Sequence, residues 1–166
     1  AAPVIVFVVI LVGLTGNEGC ITAKANALAA TVPTQEFQGL TDLWPTYESL
    51  AGRSVLGWGV AGLQRALTSQ TMVLADRVMA NYRTPSPSVR ENQWKAASEA
   101  LRRAVALAPD DNSLRAALRN CEGHILRING EANKSRGLKD QAQQQFTEAV
   151  VAFREAAALR SNWPDP

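Results

Sequence analysis

From Ser54 onward the large apolar residues recur at steps of three and four, the spacing that gathers side chains on one face of an α-helix. Val60, Leu63, Leu67, Leu74 and Val78 form the first such stripe. The prolines of TPSPS (84–88) end it, because each removes a backbone donor and biases its predecessor away from helical angles. Trp94, Ala97, Leu101, Ala104, Val105 and Ala108 form the second stripe, closed by Pro109. Asp110-Asp111-Asn112-Ser113 then reads as a helix start, with acids beside the positive amide ends. Leu114, Leu118, Cys121, Ile125 and Ile128 make the third stripe, with Asn129-Gly130 as its predicted stop. Leu138, Ala142, Phe146, Ala149, Phe153 and Ala156 make the fourth, which ends around Ser161. The pattern predicts four antiparallel helices over 54–160, broken near 84–88, 109–111 and 129–137.

The first fifty residues follow another rule. Val4, Ile5, Val6, Phe7, Val8, Val9, Ile10, Leu11 and Val12 are consecutive and strongly apolar. As a membrane helix the run is short, since Ala1 to Leu14 rises about 21 Å against a hydrocarbon core of roughly 30 Å. Extending it to Ile21 would bury Asn17 and Glu18, though a first residue of Ala leaves room for a longer anchor before it. As a strand it would need a neighbouring chain to supply the sheet. As an assembly segment it would lie in the core of a polymer of identical subunits. Residues 1–19 are accordingly read as a membrane or assembly segment, 20–53 as an irregular linker or cap, and 54–166 as the helical domain. Pro33, Gly39 and Pro45 are what make 20–53 irregular. Trp44 and Tyr47, flanking Pro45, would pack over the edge of the main domain or stand at a membrane interface.

Composition narrows this picture only slightly. A chain of 166 residues with a net charge of +2 has room for a sizeable core and no strong polyelectrolyte character. The charge is uneven, with one Lys and four acids in residues 1–50 but eight basic residues and three acids in 51–109. Such a mild basic belt would face solvent, anionic lipid, glycan or an acidic neighbour. Cys20 and Cys121 are too few for a disulfide scaffold. They would form one bridge between the N-terminal region and the third helix, or remain two thiols, with Cys121 on a core stripe. Asn17-Glu18-Gly19 before Cys20 is not a lipoprotein cleavage box.

The second and fourth stripes carry a family resemblance. AASEALRRAVALAP (96–109) and AVVAFREAAALRS (149–161) resemble the second helix of tetratricopeptide repeats, which has a small residue, a large apolar one four later, Ala three further on and often Pro five beyond. Ala97, Leu101, Ala104 and Pro109 match all four places; Ala149, Phe153 and Ala156 match three. Large Trp94 and Leu101 would fill grooves where the alanines let a neighbouring helix approach. The two matches lie 52 residues apart, against a regular period of about 34, so lengthened helices and a longer loop are expected over 123–141. The resemblance implies a short tetratricopeptide-like antiparallel helix array over 54–166. It also implies a scaffold that binds protein partners, membrane-associated if the N-terminal run is an anchor. The layout also resembles pilin-like subunits, with an apolar N-terminal helix for a polymer core. It lacks a Glu at the fifth position, has Pro3 and has no sheet pattern. The alternative function is therefore a self-assembling subunit of a cell-surface or extracellular filament.

Catalytic and ligand-binding patterns are missing. His124 is the only histidine, and with Cys121 and Glu122 it falls short of the ligands that zinc needs or the orienting group that a Cys–His pair needs. It reads as a hydrogen-bond donor at a helix–helix boundary. GWGVAG (57–62) lacks the Lys-Ser/Thr ending of a phosphate-binding loop and reads as a tight lead-in to the first long helix. The aspartates at 110 and 111 supply too few oxygens for calcium. Arg102, Arg103, Arg115, Arg119 and Arg127 are interleaved with acids, unlike a nucleic-acid surface. The sequence therefore predicts a non-enzymatic protein with no cofactor, no metal, no nucleic acid and no small-molecule substrate.

Overall fold

The computed structural model describes residues 2–55, 57–84 and 89–160, with side chains from Gly16 onward. It contains helices α1 (Ala2–Thr31), α2 (Phe37–Arg53), α3 (Ala61–Tyr82), α4 (Glu91–Leu107), α5 (Asn112–Ser135) and α6 (Lys139–Leu159). Short 3-10 turns cover Val32–Thr34 and Trp58–Val60. No strand occurs among the described residues, so the protein is all-α. Two compact units divide the chain, Ala1–Gln70 and Thr71–Pro166, and the division falls inside α3.

The N-terminal unit corrects two expectations. Val4 to Val12 belong to the first half of α1, which removes the strand reading. The span 20–53, expected to be irregular, is helical apart from the turn between Thr31 and Phe37. Leu40, Trp44, Tyr47 and Leu50 recur at helical steps and are all buried, with Trp44 and Tyr47 in edge-to-face contact at 5.7 Å. These two aromatics are core residues of this unit. Pro45 lies inside α2 but on its exposed side, as does Thr41, whose carbonyl loses its usual partner. The lost bond therefore falls where water can replace it. Pro33 stands at the start of its 3-10 turn, where a missing N–H costs little.

α1 holds the end of α2 through Asn17 and Glu18, which follow the apolar run. Asn17 Nδ2 donates to the Arg53 carbonyl at 3.1 Å. The Glu18 carboxylate accepts from Ser54 Oγ at 2.8 Å and from Val55 N–H at 2.6 Å. The next turn then runs against α1, because a Cβ on Gly59 would stand 3.0 Å from Thr22 Oγ1 and 3.1 Å from Ile21 Cγ2. Further along, the buried Gln70 side chain donates to the Gln35 carbonyl at 2.8 Å, tying the first half of α3 into the same unit.

In the C-terminal unit the helices are those the stripes predict, with one boundary moved. α3 ends at Tyr82, and of the expected break at 84–88 all but Thr84 lies outside the described residues. Asp111 caps α5, its carboxylate accepting from Ser113 N–H at 2.8 Å and Leu114 N–H at 3.1 Å. α5 does not stop at Asn129-Gly130. It continues to Ser135 and closes at Gly137, whose φ of +77° suits glycine. Gly137 N–H donates to the Lys134 carbonyl and Leu138 N–H to that of Asn133, the paired closing bonds of a left-handed cap.

Gly130 has a different role. A Cβ there would lie 2.7 Å from the Phe146 ring, and a Cβ on Gly123 would lie 2.7 Å from the Phe153 ring. Two glycines seven residues apart on α5 thus receive two phenylalanines seven residues apart on α6, and this pairing makes the two helices antiparallel. Gly in a helix interior costs about 1 kcal/mol relative to Ala. Close helix approach and ring burial offset that cost.

Candidate functional site

Glu122 is the centre of a chain of charges that joins three helices. Its carboxylate, one-fifth exposed, accepts from Arg102 of α4 at 3.0 Å and from Arg119 of α5 at 2.9 Å. Arg119 reaches on to Glu155 of α6 at 2.9 Å, while Glu99 of α4 lies 3.7 Å from Arg102 and 3.4 Å from Arg103. Isolated surface pairs contribute little, but here Arg102 and Arg119 each bridge two carboxylates, and the arrangement fixes long side chains that would otherwise be free.

This ladder crosses a groove floored by α5 and walled by α4 and α6. On one side Ile125, Leu126, Val151 and Ala152 line a space of about 480 Å³. On the other, Val105, Leu118, Ala158 and Leu159 line one of about 540 Å³. Arg119, Glu122 and Glu155 border both. Val151 is half exposed, and its neighbour Val150 is nearly as open. The result is two apolar chambers separated by fixed charges of both signs.

The residues singled out by the repeat pattern are core rather than groove. Trp94, Ala97, Leu101, Ala104 and Ala156 are fully buried and Ala149 nearly so; Phe153 is half-buried against Gly123, and Pro109 is exposed in the α4–α5 turn. Behind the groove lies an aromatic cluster. His124 stacks on Trp94 with centroids 4.0 Å apart and planes at 16°, and it meets Tyr82 at 4.5 Å and Phe153 at 5.1 Å edge-on. Arg127 lies over the Tyr82 ring at 5.7 Å. The expectation of a boundary histidine was correct in place but missed this stacking. Nearby in sequence, the amide atoms of fully buried Asn120 have no hydrogen-bond partner among the described residues.

Both cysteines are free, so the optional bridge between Cys20 and Cys121 is not formed. Cys20 is exposed on α1, whereas Cys121 is sealed within α5, and burial, with the adjacent Glu122 charge, pushes its thiol up to about 12. Among the described residues no three His, Cys, Asp or Glu side chains come together to hold a metal ion. No helix among them is long and apolar enough to cross a membrane; the side chains of Val4 to Val12 lie outside the described set. No protein-family model matches the chain, and neither a curated protein nor a solved structure does.

The ladder and the groove had no simple signature in the sequence. Arg119 and Glu122 are one helical turn apart, but Arg102 and Glu155 are far from them along the chain, and the meeting of all four depends on helix register. A faint signal existed in Val150-Val151, two apolar residues on a helix whose buried face is already filled by Ala149, Ala152 and Ala156.

Proposed function

We propose that the chain is a non-enzymatic protein–protein interaction scaffold, held at a membrane by the apolar segment Val4–Val12. The observation that carries the scaffold reading is the two-chambered groove over α5, apolar on either side of a charge ladder. The resemblance of 96–109 and 149–161 to tetratricopeptide helices supports the same reading, because that family binds protein segments. Support for the anchor comes from nine consecutive apolar residues placed on a helix. A run of that kind exposed to water is an association site.

A random peptide library panned against the intact chain tests the groove, with Val151→Arg as the counter-target. Selected peptides should lose at least about tenfold in affinity for the variant, equivalent to about 1.4 kcal/mol, while its melting temperature stays unchanged. Peptides that bind both equally would remove the groove from the reading. For the anchor, the full chain should float with phospholipid vesicles in a density gradient. Regular filaments seen by electron microscopy in lipid-free material would instead favour the self-assembling surface subunit.

A further inference from the structure

Trp58 is 79% exposed, and Val55 beside it 64%. An indole left in water is unusual, and the backbone around this one is not loose. Gly57 has a φ of +72°, a conformation that a side chain would strain, and its N–H is held by Ser54 Oγ at 3.0 Å. Gly59 lies so close to α1 that a Cβ would press on Thr22 and Ile21. Ser54 and Val55 are bound by Glu18, and the Arg53 carbonyl by Asn17. The Gly-Trp-Gly turn is thus clamped to α1 on its inner side and displays Trp58 on its outer side.

The level of this turn along α1 identifies what it faces. Glu18 stands four residues beyond Leu14, a rise of about 6 Å. The headgroup layer on each face of a bilayer is about 5–8 Å thick beyond the hydrocarbon. If the apolar run enters the bilayer, Asn17, Glu18 and the turn they hold fall in that layer. Trp is enriched there because its ring is apolar and its N–H needs a polar partner, and Arg reaches phosphates from the same depth. Arg53 is exposed at the same turn.

We propose that residues 53–55 and 57–58 form a collar seated in the phospholipid headgroup layer, with Trp58 and Val55 at the glycerol level and Arg53 paired with lipid phosphate. This rests on the membrane-anchored reading of the N-terminal run. The collar fixes how deeply the chain sits, because Trp58 cannot enter the hydrocarbon without dragging Arg53 and the Glu18 knot with it.

The full chain mixed with phosphatidylcholine vesicles tests both levels at once. Flotation reports anchoring. The emission attributable to Trp58, obtained as the difference between native chain and Trp58→Phe, reports depth when the lipids carry bromine near the headgroup or near the acyl-chain end. Expected is flotation, a blue shift of the Trp58 emission, and stronger quenching by the headgroup-proximal bromine. Flotation with Trp58 emission unaffected by either bromine overturns the collar and leaves the anchor standing. Absence of flotation overturns both. Concentration-dependent shielding of Trp58 from acrylamide without lipid assigns the turn to a contact between copies and also overturns the collar. Circular dichroism of Trp58→Phe confirms that the comparison is between folded chains.

Discussion

A thiol enclosed by packed helices resists ionisation, and Cys121 carries the consequence into stability. Its ordinary value of 9.0 is raised to about 12 by burial first and by the Glu122 charge second. Between those limits the folded chain keeps a proton that the unfolded chain releases. Unfolding free energy therefore falls as pH rises, by at most about 1.4 kcal/mol per unit. This contribution is fully present below pH 9 and is lost on approach to 12. The difference between the urea midpoints of native chain and Cys121→Ala, set at neutral pH by loss of the buried side chain, should stay constant from pH 7 to 9 and change above pH 9, with the native chain showing the steeper decline. In the same material one thiol per chain, that of exposed Cys20, should react quickly at neutral pH, and the second only in denaturant. Equal reaction rates in the folded state would refute the sealed position of Cys121. At this scale the sequence was readable: the third stripe placed Cys121 on a core face, where a thiol is comfortable.

At the level of helices, the Gly–Phe contacts set two rules against each other. Ala at position 123 should favour the helix by about 1 kcal/mol. The added methyl meets the Phe153 ring at 2.7 Å, and overpacking costs about 1–3 kcal/mol. We expect Gly123→Ala to lower stability, and Phe153→Leu to lower it as well. The double variant should lose less than the sum, with a coupling of about 0.5–3 kcal/mol in urea denaturation. Strict additivity would mean that the ring does not occupy the notch. The same contacts explain one misreading. Asn129-Gly130 looks like a stop because glycine commonly ends helices, but here the missing Cβ serves the neighbouring helix. Pro45 misled similarly, since a proline rule written for helix interiors ignores which side faces water. Local propensity is a weak prior that four buried side chains on α2 override. The four later stripes were legible because their periodicity is long and regular. The third is nonetheless rotated from its expected line: Asn120 and His124 are buried, while Leu118 and Ile125 are only half covered and line the groove.

Over the whole molecule, the periodicity that begins at Ser54 set the expected boundary at residue 53, whereas the two compact units meet after Gln70, within a continuous helix. Periodicity locates helices but does not say with which neighbours they pack, and the Gln70–Gln35 hydrogen bond is invisible in it. The knot of Asn17 and Glu18 makes the N-terminal truncation limit sharp. A chain lacking residues 1–15 keeps all three of its hydrogen bonds; a chain lacking 1–19 loses them. Bonds to a charged group contribute about 1.5–3 kcal/mol each and neutral ones about 1. Both truncations should remain helical by circular dichroism, the longer one melting several degrees lower. Equal melting temperatures would show that the knot contributes nothing to the fold.

The spacing of the two notches also bears on how α5 and α6 find one another during folding. Sliding α6 by one heptad in one direction would still seat Phe146, at Gly123, but would drive Phe153 onto the methyl of Ala116. Sliding it in the other direction would seat Phe153 at Gly130 and carry Phe146 past the end of α5 to Gly137. Each slipped alignment satisfies one ring and strands the other, so mispaired hairpins are unequal to the native one rather than degenerate with it. Replacing either glycine would flatten that discrimination and open the way to populated, off-register intermediates.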